Sequence, residues 1–344
     1  MSIKFFKGIC YTLLITSNLA ITSIGYARVS ETSIHTAAQI AYSRAQQNNE
    51  GKNADYIPAL AKVDPKLLGV SIVTADGTAI NIGDYKTPFA IESISKVFTL
   101  ALAMKDHNAK EVFDKIGTNP TGLPFNSVLA IEQNQTGKAA MNPLVNAGAI
   151  ATTSLVKGNN AEEKYKRIVD IMSDFAGHRL SLNKEVYESE AATNQHNQAI
   201  AVLLQSYDRL YDDPFTTTDV YTKACSINIT ARDLAVMGSV LANNGINPIT
   251  KKRLLTEEEV AHILAIMTMN GLYETSGDWL YWTGLPGKSG VGGGILAIAP
   301  GRMAIAVFSP PLDEAGNSVR GQQIVRDITR SLNLNMFNQA PPQY

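Results

Sequence analysis

Ser93-Ile94-Ser95-Lys96 is an S-x-x-K tetrad. At a helix start, side chains three apart share a face, so the lysine amine can take the serine proton and make the hydroxyl a nucleophile. The tetrad alone is a weak signal, because Ser154-Leu155-Val156-Lys157 and Ser181-Leu182-Asn183-Lys184 have the same form. Context separates the three. Phe89-Ala90-Ile91 precedes Ser93 and the apolar stretch Val97-Phe98-Thr99-Leu100-Ala101-Leu102 follows it. That context places the Ser93 hydroxyl at a helix N-terminus, where free backbone N–H groups favour a developing oxyanion. The other two tetrads fall within a helical run and in a polar connector, and are expected to be ordinary surface residues.

A second candidate is the glycine-rich run Gly284 to Gly294. It is not a phosphate loop: Trp282 stands five before Gly287 where that motif needs glycine, and the run leads into a strand instead of opening a helix. Lys288-Ser289-Gly290 at the entry of the Ile295 strand suits another use. Glycines there let the backbone approach a ligand, so the N–H of Val291 can join that of Ser93 as an oxyanion hole, or the run serves as a hinge. Lys288 is expected to add positive charge beside Lys96 and help lower its pKa. The five histidines include no pair at metal-ligand spacing; Glu258 and His262 can share a helix face, which is expected to be solvated surface. Neither a metal nor an organic cofactor is implied.

These groups need elements to hold them. The sequence has 344 residues, 45% hydrophobic and 18% charged, enough for a sizeable core. A formal net charge of −1 gives no broad attraction for nucleic acid or anionic lipid. Residues 1 to 27 carry Lys4 and Lys7, an apolar run from Gly8 to about Ala20, and Gly25-Tyr26-Ala27, the pattern of a cleaved export signal. Thr12, Thr16, Ser17 and Asn18 interrupt the run and argue against a permanent span. A periplasmic or secreted protein without membrane attachment is expected, retaining Cys225 as its one cysteine.

Leu68 to Asp84 reads as a hairpin turning at Asp76-Gly77, and the strands from Ile295 and Met303 flank Pro300-Gly301 in a second. Helical periodicity dominates between them, as in Ile168, Ile171, Met172 and Phe175, or Leu234, Met237 and Leu241. Thr256 and Glu259 form a capping-box pattern, and a last helix carries Ile324, Val325, Ile328 and Leu332. An α+β fold follows: an antiparallel sheet built from both chain ends, flanked by helices, with an inserted all-helical lobe. The expected sheet lobe covers about 28–92 and 270–334, the helical lobe about 93–269, and a loose tail 335–344, all within one catalytic domain, 28–344.

An early S-x-x-K and a late K-S-G on this plan match the penicillin-recognising serine hydrolases. The segments between them go further. Asn142-Pro143-Leu144-Val145-Asn146-Ala147-Gly148-Ala149-Ile150, Ser189-Glu190, Tyr221 four before Cys225-Ser226-Ile227, Gly271 to Trp279, and Lys288 to Ile295 stand in one order. This series resembles the serine-dependent glutaminase family from about Tyr56 to the last helix. The resemblance implies a serine β-lactamase-like fold, a homo-oligomer (dimer or tetramer), and hydrolysis of L-glutamine by water to L-glutamate and ammonia. It implies catalytic Ser93, Lys96 and Tyr273, with Tyr56, Ser93, Asn146, Glu190, Asn197, Tyr221, Tyr273 and Val291 contacting substrate. A buried carboxylate such as Glu190 would answer the substrate ammonium while Asn and Tyr groups bond the rest.

Two positions depart from the family pattern: Glu92 replaces the usual Gln before the nucleophile, and His196 the usual Arg before Asn197. Glu92 is expected to turn from the nucleophile, because a carboxylate facing Lys96 would hold it protonated. Lys96 and a tyrosine are both open as the general base. The competing readings are a periplasmic β-lactamase or DD-peptidase-like hydrolase, which calls for a middle S-x-N or Y-x-N motif on the helical lobe, and a non-catalytic glutamine-binding sensor.

Overall fold

The computed structural model describes residues 29–133 and 140–338; the expected export signal and the last six residues lie outside them. Its strands are β1 (Gly69–Thr74), β2 (Ala79–Gly83), β3 (Phe89–Ala90), β4 (Ser181–Leu182), β5 (Ile227–Ile229), β6 (Gly287–Gly290), β7 (Gly294–Ala299) and β8 (Met303–Phe308). Both expected hairpins are present. Val70 pairs with Ile82 and Ile72 with Ile80 in the first, and Ile295 with Val307 and Ala297 with Ile305 in the second. Gly301 takes φ +71° at the tight turn between β7 and β8, a conformation glycine adopts without Cβ strain.

The two hairpins join edge to edge, β1 against β8, in one antiparallel sheet of order β2-β1-β8-β7-β6. Alternation decides which face each side chain serves. Ile295, Ala297, Ile305 and Val307 pack with Ile34, Ala38, Ile324 and Ile328 of the terminal helices Glu31–Ala45 and Val319–Ser331. Leu296, Ile298, Ala304 and Ala306 face the helical region and Leu234, Met237 and Leu241 of helix Ala231–Ala242. Burial on both faces explains why these antiparallel strands read as continuous apolar runs. Gly238 sets the helix-to-sheet distance, since a Cβ there would lie 2.5 Å from Leu296 Cδ1. Thr256 and Glu259 form the expected capping box, and Ile168, Met172 and Phe175 are buried on helix Ala161–Ala176.

A second sheet, order β3-β5-β4, has strands too short to show a period. It positions the site: Phe89 pairs with Ile229, and the Ile91 N–H donates to the Ile227 carbonyl at 2.9 Å. The segment entering Ser93 is thereby fixed to the one leaving Cys225. Lys288-Ser289-Gly290 lies within the edge strand β6 rather than in a hinge ahead of the Ile295 strand. Among the described residues no helix is long and apolar enough to cross a membrane.

Candidate active site

Ser93 sits in a 3-10 turn, Glu92–Ile94, that feeds helix Ser95–Ile116. The tetrad geometry expected from the spacing is present: Lys96 Nζ lies 2.9 Å from Ser93 Oγ, and both residues are buried. The rival tetrads are differently employed, and one departs from the surface placement expected of both: Ser154 is buried, its hydroxyl satisfied by backbone groups. Ser154 Oγ donates to the Ala151 carbonyl and accepts from the Tyr211 N–H, while Ser181 is exposed and Lys184 is an exposed partner of Glu188.

Lys96 Nζ also donates to Asn146 Oδ1 at 2.7 Å, and the Tyr221 hydroxyl donates to the same oxygen at 3.2 Å. Asn146 Nδ2 donates to Asn197 Oδ1 at 2.9 Å, extending the chain of bonds across four helices. Asn146 opens helix Asn146–Leu155, and the turn before it is held by Asn142, whose side chain accepts from the Leu144 N–H and donates to the Thr118 carbonyl. Gly148 permits this packing, since a Cβ there would lie 1.8 Å from the Asn142 carbonyl oxygen.

A cavity of about 120 Å³ opens over Ser93, lined by Tyr56, Glu92, Asn146, Glu190, Asn197, Tyr221 and Val291, among others. The expected substrate-contacting residues other than Tyr273 thus line one cavity. Tyr56 stands at the rim, 52% exposed, and Ser189 tethers its loop by accepting from the Ala59 N–H at 3.1 Å. Sequence reasoning missed Phe125 and Asn126 in the cavity wall; no periodic or motif signal marks their loop. His196 Nε2 is 2.7 Å from the Asn126 carbonyl, joining the wall to helix Gln195–Ser206.

Tyr273 is buried at φ +58°, a strained conformation for a non-glycine residue of the kind that clusters at functional sites. Its ring packs 5.1 Å from Phe125, and its hydroxyl interacts with Ser93 and reaches the Ser289 carbonyl at 3.5 Å. Gly290 and Gly292 bring the Val291 loop against the nucleophile segment. A Cβ at Gly290 would meet the Ile91 carbonyl at 2.8 Å, and one at Gly292 the Ala90 carbonyl at 2.6 Å.

Burial lowers the Lys96 pKa to about 8, against opposing pulls from Cys225, Glu190 and Glu92. The expected contribution of Lys288 is corrected here. Lys288 is itself fully buried, with its amine 4.1 Å from the Tyr273 ring centroid and donating to the Ser289 carbonyl. Burial first and the Lys96 charge second hold Lys288 well below the usual lysine range, so it is poorly suited to act as a cation upon Lys96. Tyr273 shifts the opposite way: burial pushes its hydroxyl above the ordinary tyrosine value.

Glu92 does not bond the Lys96 amine, whose partners are Ser93 and Asn146. Yet it stays in the cavity wall instead of leaving, at φ +50°. Burial, and then the neighbouring Glu190, raise its carboxyl well above the usual range. Glu190 is raised to about 7, chiefly by burial, with Lys96 pulling it down.

The geometry provides a serine beside a depressed lysine, a line of amide and phenol groups, and a buried carboxylate in one small cavity. A family model described as glutaminase matches residues 51–337. The chain belongs to the glutaminase family. A glutaminase of Colwellia psychrerythraea (strain 34H) is 53% identical over 297 residues, covering 86% of this chain and 95% of that one. Glutaminase 1 of Escherichia coli O157:H7 is 54% identical over 304 residues, covering 88% and 97%. The solved structure of "Probable glutaminase ybaS" superposes with a TM-score of 0.88 at 52% identity, over 90% of this chain and all of that one. Mglu in its glutamate form superposes with a TM-score of 0.83 at 38% identity, over 88% of this chain and 69% of that one. This glutaminase chain accordingly has the mixed, antiparallel-sheet fold of the serine glutaminases and is an enzyme that converts glutamine to glutamate.

Proposed function

We propose that the conversion is acyl transfer through Ser93. The observation carrying this reading is the buried 2.9 Å approach of Lys96 Nζ to Ser93 Oγ with the lysine pKa lowered to about 8. At pH 7 about one lysine in ten is then neutral, and at pH 9 about nine in ten. Tyr273 is shifted upward and stays a phenol, which favours Lys96 as base and Tyr273 as a proton relay.

Ser93 Oγ attacks the side-chain amide carbon of L-glutamine and Lys96 takes its proton. The N–H groups of Ser93 and Val291 hold the oxyanion, a role supported by the close approach that Gly290 and Gly292 allow. The proton returns through Lys96 or Tyr273 to the amide nitrogen, the C–N bond breaks and ammonia leaves. Water then adds to the glutamyl ester by the same route in reverse, releasing L-glutamate and restoring Ser93. Glu190 answers the substrate ammonium; Asn146, Asn197, Tyr221 and Tyr56 bond its remaining polar groups. Ser93→Ala tests the assignment: ammonia release from glutamine falls at least about a thousandfold, whereas an unchanged rate refutes it.

The leader pattern of residues 1 to 27 supports export to the periplasm or medium, tested by the N-terminal sequence and location of the mature chain. The family resemblance supports a homo-oligomer, tested by sedimentation at micromolar concentration; a monomer would refute it.

A further inference from the structure

Three potential metal-binding side chains meet beside the cavity: Glu92 and Glu190, which line it, and Cys225, buried behind them, with one ligand atom of each lying within 4.8 Å of the others. All three are at least nine-tenths buried, and the thiol is free. Glu92 Oε1 and Glu190 Oε2 have no hydrogen-bond partner. Ser226 bonds the Glu190 carboxyl, yet each of the two neighbouring carboxyl groups keeps one buried oxygen unpartnered, which is costly, and a cation held by both groups removes the cost. The Cys225 sulfur lies 3.6 Å from Ser95 Oγ and also meets the Tyr221 hydroxyl.

We propose that Glu92, Glu190 and Cys225 form a site for a thiophilic divalent cation of the Zn²⁺ class, which competes with substrate. A Zn²⁺ ion takes carboxylate oxygen at about 2.0–2.2 Å and cysteine sulfur at about 2.3 Å. Closing the cluster onto an ion therefore requires side-chain movements of about 1 Å, and water completes a four-coordinate shell from the cavity side. The donor set discriminates by chemistry: one sulfur and two carboxylates suit Zn²⁺ better than Mg²⁺, which takes oxygen ligands alone. Coordination releases to solvent the thiol proton and the protons that burial holds on the carboxyl groups, and the two carboxylates so formed balance the charge of the ion. The ion occupies the same Glu190 carboxylate assigned to the substrate ammonium. Metal and glutamine therefore exclude one another while the Ser93–Lys96 pair remains in place. This competition rests on the proposed role of Glu190; the metal site itself does not.

Calorimetric titration of ZnCl₂ into the full chain, stripped of metal, tests the site. One equivalent binds to the wild type, and Glu92→Gln and Cys225→Ser each weaken it at least tenfold. Co²⁺ in place of Zn²⁺ gives a thiolate-to-metal absorption band that Cys225→Ser abolishes. Steady-state kinetics then show Zn²⁺ raising KM for glutamine without lowering kcat. Circular dichroism checks that the variants fold; should either fail, the Co²⁺ band in wild type decides. No Zn²⁺ binding, no thiolate band, or binding lost only in His262→Ala would overturn the site. Zn²⁺ binding with the band present but without competition would refute the shared Glu190, leaving the cluster assigned. Failure of glutamine hydrolysis with and without metal refutes the proposed function, while calorimetry and the Co²⁺ band still test the cluster independently.

Discussion

Asn146→Asp places a carboxylate where an amide oxygen now stands 2.7 Å from Lys96 Nζ. The side chain keeps its shape and both acceptor contacts, to Lys96 and Tyr221, and loses the donor to Asn197. Unit charges at that separation attract by about 6 kcal/mol at an effective dielectric constant near 20. Desolvation of the new carboxylate takes back part of this, and a net 3 kcal/mol or so corresponds to about two pKa units. The Lys96 pKa then rises from about 8 to about 10. The neutral lysine fraction at pH 7 falls from about one tenth to about one thousandth, so kcat/KM falls about a hundredfold. The loss should stay near a hundredfold below about pH 8 and then recover about tenfold per pH unit up to the new limb near pH 10. Ammonia release measured at subsaturating glutamine from pH 6 to 10.5 reads this, with Asn146→Ala as the comparison that loses the contacts without adding charge. An Asn146→Asp profile with its alkaline-going limb still near pH 8 would refute Lys96 as the titrating base.

Lys96→Met removes the base and a costly buried amine together. The variant should release no ammonia above background, yet be more stable than the wild type by about 1–3 kcal/mol at pH 7. The sign follows from proton binding: between about pH 8 and 10.5 the unfolded chain holds the Lys96 proton and the folded chain does not, so wild-type stability from this group rises with pH in that window. The Lys96→Met advantage in urea melts should therefore shrink towards pH 10.5; a constant advantage would refute the shift. Gly292→Ala drives a Cβ to within 2.6 Å of the Ala90 carbonyl and pushes the Val291 loop from Ser93, so kcat should fall at least about tenfold with a small change in melting temperature. Gly148→Ala meets the Asn142 carbonyl at 1.8 Å and should destabilise by about 2 kcal/mol or more in denaturant melts.

The sequence made some parts legible for plain physical reasons. The β1–β2 and β7–β8 hairpins show because apolar runs are punctuated by Asp76-Gly77 and Pro300-Gly301. The helix bearing Ile168 and Phe175 shows because its buried face repeats at the helical period. Strand β6 does not, since Gly287-Lys288-Ser289-Gly290 offers no apolar alternation and its lysine is buried without a carboxylate partner. The three-stranded sheet is equally silent, because β3 and β4 have two residues each. Of the site residues, Ser93 and Lys96 declare themselves by spacing together with the strand before and apolar helix after them, whereas Asn146, Glu190 and Tyr221 come from separate helices and were legible through motif order alone. Glu92 was noticed as a departure. Its meeting with Glu190 and Cys225 depends on the β3–β5 pairing, which no local pattern specifies.

The central claim is that glutamine passes through an ester on Ser93. Enzyme turning over isotopically labelled glutamine, quenched in acid and mapped by peptide mass, tests it most directly. A glutamyl group on the peptide containing Ser93 in wild type, absent from Ser93→Ala along with ammonia release, is the predicted result. Ammonia release at the wild-type rate from Ser93→Ala, with no glutamyl adduct on Ser93 in the wild type, would contradict it.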